Sequence, residues 1–257
     1  SIAMTIAMTI TMPMTTSIAI ADITSPAYLD AYSRINGVVV IGEGLADRHF
    51  RLLAKAIPAD GPELLRLAAM EGRHAREFIG CGHHLGIKPD LVLAKQLFDP
   101  LHDLFLECDR SGDLAGCLVI QGLVVECFAV AAYRHYLPVA DAYARPITAR
   151  VLKDEAEHLN YAESWLKSRF PELEPAMSSI CRKVLPVTTA ILQAVAPDMR
   201  AIGMDPLDLV ASFFELFQSC LETVGYDAKT ASRLIVSAAA SAPMAKATSK
   251  SATTKLC

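Results

Sequence analysis

The chain has 257 residues, 24 Lys and Arg against 28 Asp and Glu, and a formal net charge of −4. That balance, with a pI near 6.0, lacks the clustered basic charge that nucleic-acid binding requires. The seven cysteines are odd in number, scattered and without C-x-x-C spacing, which argues against a disulfide framework or a zinc ribbon and for a reducing, cytoplasmic setting.

Residues 1–25, SIAMTIAMTITMPMTTSIAIADITS, are low in complexity and hold no Lys or Arg. They lack the basic start of a signal peptide and the arginines of a transit peptide, and read as a disordered lead. From residue 26 onward breakers fall at long intervals and apolar residues recur at helical spacing. The pattern predicts helices over 26–57 (stopped by Pro58), 61–85 (Gly86), 90–110 (Ser111-Gly112), 113–137 (Pro138), 139–170 (Pro171), 172–197, 205–225 and 228–240. No segment reads as strand-turn-strand. Residues 241–257, rich in Ala, Ser, Thr and Lys, read as a flexible tail. One helical domain over 26–240 is therefore expected, and long helices joined by short loops favour antiparallel neighbours, hence an all-α bundle of about eight helices.

The fourth predicted helix contains LAGCLVIQGLVVECFAVAAY, residues 114–133, whose only charge is Glu126. That is also the length of a membrane span. The other helices carry polar faces and no second segment resembles this one, so it reads as the central helix of a bundle without an integral membrane span. Glu126 is then a carboxylate in an apolar run and needs a partner.

Two E-x-x-H pairs occur, Glu71 with His74 and Glu155 with His158. Residues three apart share one face of a helix. Each pair follows an isolated Glu in apolar surroundings: Glu43 stands 28 residues before Glu71, and Glu126 stands 29 before Glu155. The chain thus reads as two helical hairpins, each contributing E…E-x-x-H, which is the ligand pattern of di-iron and di-manganese carboxylate sites in ferritin-like bundles. Four carboxylates neutralise most of the charge of two divalent ions in a dry core, and each imidazole serves one metal. Other candidates lack a matching repeat: Asp99-Pro-Leu-His102 is expected to face solvent, His83-His84 to end a helix, Glu157 to point away, and His49 and His135 have no carboxylate at the right spacing.

Residues one or two turns from these positions are apolar: Ile35 and Val39 before Glu43, Phe50 after it, Phe78 after Glu71, and Ala129 and Tyr133 after Glu126. Small Ala129 and Ala132 leave room beside the metals. This is the lining an oxygenase channel needs, whereas iron storage needs polar exits; periodicity alone also fits plain core filling.

The stretches AYSRINGVVVIGEG, MEGRHAREFIGCGHHLGI, CLVIQGLVVECFAVAAYRHYLPVADAYARPITARVLKDEAEHLNYAESWLK and LVASFFELFQSCLETVGYDAKTASRL resemble the cyanobacterial aldehyde-deformylating oxygenases, also called aldehyde decarbonylases, over roughly residues 28–240. The resemblance implies a ferritin-like enzyme with two Fe ions that turns a long-chain fatty aldehyde into the alkane or alkene one carbon shorter plus formate. It implies consumption of O2 and of electrons from ferredoxin or a similar reductant, and an acyl-ACP reductase as a partner. By position it makes Glu43, Glu71, His74, Glu126, Glu155 and His158 the iron ligands. Tyr133 and Gln121 match polar residues near the metals, and Ile35, Val39, Phe78, Phe98, Ala129 and Ala132 match the channel. The alternative is a ferritin-like ferroxidase without an organic substrate.

Some positions depart from the family. An acidic stretch around the first carboxylate reads Ile41-Gly-Glu-Gly-Leu-Ala46, Phe50 replaces a tyrosine, Ala156 replaces an aromatic, and Pro146 replaces a lysine. Pro146 is expected to kink its helix or restart it. Gly44 and Gly112 are expected to loosen the scaffold.

Overall fold

The computed structural model describes residues 21–241. The expected lead lies outside the described residues except for 21–25, and the expected tail except for residue 241. Among the described residues there are eight long helices and no strand.

Helix α1, Pro26–Ala56, starts at a Ser25 cap whose hydroxyl accepts from the Tyr28 amide at 3.2 Å, and it stops just before the Ile57-Pro58 step. Helix α2, Gly61–His84, ends with His83 and His84 at its negative pole, as expected of that pair. Helix α3, Leu91–Ser111, is capped by Asp90, and α4, Leu114–Tyr136, by Asp113. Helices α5, Ala144–Lys167, and α6, Phe170–Ala201, precede α7, Pro206–Val224, and α8, Ala228–Ser241.

Three expectations are corrected. Pro146 neither kinks nor restarts α5: the helix begins at Ala144, where Asp141 accepts from the Tyr143 and Ala144 amides at 2.7 and 3.0 Å. Pro146 therefore sits in the first turn, where its missing N–H would have no partner in any case. Helix α6 runs through Pro197 to Ala201, because Val195 and Met199 continue its buried stripe past the proline. Gly112 does not loosen a helix interior: it caps α3 at φ +73°, the left-handed conformation that glycine adopts without strain.

Helix α4 is the hub. Its segment Val119–Val125 is wound as a π-helix, is buried throughout, and touches α1, α3, α5, α6 and α7. Gly122 lets it lie against α5, since a Cβ there would collide with that of Ala162. Among the described residues this is the one helix long and apolar enough to cross a membrane, and most of it is buried inside the bundle. Helices α1 and α2 pair on one side, α4 and α5 on the other, and α2 meets α5, so the four together enclose one space.

Candidate metal centre

Glu43 reaches this space from α1, Glu71 and His74 from α2, Glu126 from α4, and Glu155 and His158 from α5; each is at most 5% exposed. Their donor atoms form two groups, each spanning no more than 4.8 Å: Glu43, Glu71, His74 and Glu155 in one, Glu71, Glu126, Glu155 and His158 in the other. Glu71 and Glu155 belong to both.

The contacts inside each group cannot all be satisfied as ordinary hydrogen bonds. His74 Nδ1 lies 3.4 Å from Glu43, 3.2 Å from Glu71 and 3.4 Å from Glu155. His158 Nδ1 lies 3.0 Å from Glu71, 3.2 Å from Glu126 and 2.9 Å from Glu155. One ring nitrogen carries at most one proton, so it serves at most one of its three oxygens well. Donors that share an octahedral ion at about 2.1 Å stand about 3 Å apart, which is the spacing seen here. Glu155 Oε1 is moreover buried without a hydrogen-bond partner. The cluster therefore fits a pair of divalent cations better than it fits itself.

The electrostatics agree. Burial, then the charge of Glu71, drive the Glu43 and Glu126 carboxyls well above the ordinary range. Burial alone pushes the His74 imidazole down, but the surrounding carboxylates of Glu155, Glu43 and Glu71 prevail and lift it to about 12. Protons stand in for the missing positive charge.

Around the donors lie orienting groups. His74 Nε2 is 3.2 Å from Asp154, whose Oδ2 also accepts from Arg73 at 2.6 Å; this contact orients the ring with Nδ1 toward the carboxylates. Tyr133 donates its hydroxyl to Glu43, and Gln121 donates to Glu126 at 2.9 Å.

On one side the carboxylates open into a cavity whose remaining walls are almost wholly apolar. Ile35, Val39, Phe98, Ala129 and Ala132 line it, together with Val195, Met199, Met204 and Leu209. The sequence profile described as long-chain fatty aldehyde decarbonylase matches residues 25–240. The chain belongs to that family. A solved Synechococcus structure, titled protein 19 with aldehyde deformylating oxidase activity, is similar at 61% identity with a TM-score of 0.83, covering 84% of this chain and 99% of the other.

In this decarbonylase-family chain all six anticipated ligand positions converge, and five of the six anticipated channel residues line the cavity. Phe78 does not: it lies behind Tyr133, stacked on that ring at 5.2 Å. Gln121 and Tyr133 each donate to a carboxylate of the cluster. Of the departures, Gly44 and Ala156 sit on exposed faces, while Phe50 is fully buried and its ring is 5.5 Å from that of His158. Glu157 faces outward and pairs with Arg66, as expected. His102, expected in solvent, is half-buried and bonded to His49. Asp154 was readable as the neighbour of Glu155, but its partner Arg73 is on another helix, and no spacing announces that pairing. Val195 and Met199, one turn apart on an apolar face, carried the helical signal of a wall without saying of what.

Proposed function

We propose that this chain is an aldehyde-deformylating oxygenase that converts a long-chain fatty aldehyde into formate and the alkane or alkene one carbon shorter. The observation that carries this reading is the junction of a four-carboxylate, two-imidazole cluster with an apolar cavity. A ferroxidase would need a polar path for ions, and the cavity offers hydrocarbon instead.

Two iron ions suit the donor set: Glu43 with His74 and Glu126 with His158 would each hold one, with Glu71 and Glu155 between them. Carboxylate and imidazole donors are the ligand types of non-haem iron. Bound there, iron supplies the electron-transfer chemistry that couples dioxygen reduction to cleavage of the bond between the aldehyde carbon and its neighbour. The chain's own residues seat the reactants. Ile35, Val39, Phe98, Val195 and Met199 take the alkyl tail, which leaves the polar carbonyl beside the carboxylates. Tyr133 and Gln121 tie down Glu43 and Glu126, and the apolar walls keep bulk water from the reacting carbon.

Aldehyde, dioxygen, four electrons and three protons balance against hydrocarbon, formate and one water. An external reductant such as ferredoxin therefore acts with it, and an acyl-ACP reductase is the class of enzyme that supplies the aldehyde. We place the protein in the cytoplasm, where the six buried free cysteines among the described residues are chemically at home. Incubating iron-loaded protein with aldehyde, a reducing system and isotopically labelled dioxygen tests the whole reading. Hydrocarbon with label in the formate supports it; label-free formate, or hydrocarbon formed under strict anaerobiosis, sinks it.

A further inference from the structure

His49, set aside by spacing, lies in a line of hydrogen bonds that ends on the metal centre. It projects from α1, is fully buried, and stacks on Phe105 at 3.7 Å between ring centres. Its Nδ1 is 2.7 Å from Gln121 Oε1, and its Nε2 is 2.9 Å from Nδ1 of half-buried His102 on α3. Gln121 donates from its other end to Glu126 at 2.9 Å.

We propose that His49, held by His102, is the positioning residue that fixes the Gln121 amide on Glu126 and so the presentation of that carboxylate to a metal ion. The proposal rests on the reading of Glu126 as a metal ligand. An amide has two ends, and only one suits an ionised carboxylate: N–H toward Glu126 makes a charge-assisted bond, while the carbonyl would set acceptor against acceptor. Which end faces Glu126 is decided by what the other end meets. For His49 to satisfy Oε1, its proton must be on Nδ1.

Burial, the main influence, holds the His49 pKa down to about 3, so the ring is neutral and carries a single proton. With that proton on Nδ1, Nε2 can only accept, and His102 Nδ1–H is the donor that meets it. His102 keeps this N–H as the cation and as one neutral tautomer, so its titration leaves the line's direction intact. The three bonds then all donate toward Glu126. Phe105 stacked on the imidazole, with no exposure to solvent, restrains the ring from turning over. Without His49 the amide loses the partner that tells its two ends apart.

Cobalt(II), whose visible absorption reports ligand geometry, provides a test that does not depend on turnover. It is titrated into metal-free wild type, His49→Leu, His49→Asn, His102→Leu and the His49→Leu/His102→Leu double variant, each checked for a native helical spectrum. His49→Leu should weaken cobalt binding about 10-fold to 100-fold and change the spectrum, the usual scale for losing an orienting group. His49→Asn keeps an N–H at the level of Nδ1 and should recover most of that loss, and His102→Leu should cost less than His49→Leu. Members of one series do not add, so the double variant should match His49→Leu alone. A merely space-filling role predicts no advantage of Asn over Leu, and that outcome overturns the proposal. So does wild-type affinity and spectrum in His49→Leu. Should His49→Leu fail to fold, His102→Leu decides: binding and spectrum identical to wild type refute the positioning role. A wild type that binds no cobalt overturns the metal reading itself, a result distinct from the others.

Discussion

Stripping the metal from the loaded protein should lower its melting temperature, and by more at pH 8 than at pH 6. An ion held at about 100-fold above its dissociation constant stabilises the fold by about 2.7 kcal/mol, so two ions contribute about 5 kcal/mol. For a domain of this size that corresponds to roughly 10–20 °C. The pH dependence follows from the donors. Burial and the charge of Glu71 raise the Glu43 and Glu126 pKa values in the metal-free fold, so both groups hold protons that the unfolded chain releases above about 4.3. Their contribution is complete below that value and is lost as pH climbs through the raised one. His74, raised to about 12 by its carboxylate partners against the pull of burial, behaves alike from about 6.5 upward, and His158 shifts in the same direction. Each group costs the metal-free fold up to about 1.4 kcal/mol per pH unit within its window, all with one sign between pH 6 and 8. Bound cations replace those protons and remove the slope. Calorimetric melts of chelated and iron- or manganese-loaded protein at the two pH values measure the gap. A chelated sample melting within about 2 °C of the loaded one, or a gap that narrows as pH rises, would refute the reasoning.

Glu126→Ala should leave fewer than two metal ions per chain by elemental analysis; two retained ions would remove Glu126 from the ligand set. Ala129→Phe puts six ring carbons into the cavity beside Glu126 and should shift use toward shorter aldehydes at unchanged metal content, so unaltered chain-length preference would count against a channel there. Gly44→Ala should stabilise the fold by about 0.5–1 kcal/mol, because the position lies inside α1, is exposed, and has nothing within 4 Å of an added Cβ. A lower melting temperature for that variant would mean the loose turn is structurally required.

The helices were legible where chemistry punctuates them. Ser25-Pro26, Asp90, Gly112 and Asp205-Pro206 mark ends that propensity alone would blur, since a cap or a proline acts through its own local bonds. Proline misled where burial overrode it, as in α6, and Asp141 hid the true start of α5. The six residues of the buried cluster were legible because the chain states their pattern twice, in two hairpins of nearly equal length. Interactions made once between distant helices leave no such trace: Arg73 with Asp154, or His49 with Gln121 and His102, join residues 81, 72 and 53 apart. Phe78 shows the limit from the other side. It occupies the right face one turn beyond His74, yet it stacks on Tyr133, whose ring lines the cavity in its place, a contact between distant residues that no spacing announces.

The winding of α4 ties these threads together. At 3.6 residues per turn, positions five apart lie about 140° around a helix, so a regular α-helix would aim Gln121 away from Glu126. The π segment Val119–Val125 closes its turns at five residues and brings the two onto one face, where they bond. Such a turn is wider and worse packed than an α turn, so something must hold it. Here every side chain of the segment is buried against five other helices, and Gly122 lets Ala162 close over the widened turn. The apolar run that resembles a membrane span therefore has a local purpose. Its burial stabilises an unfavourable winding, that winding aims Gln121, and Gln121 in turn orients the carboxylate that the rest of the helix isolates from water.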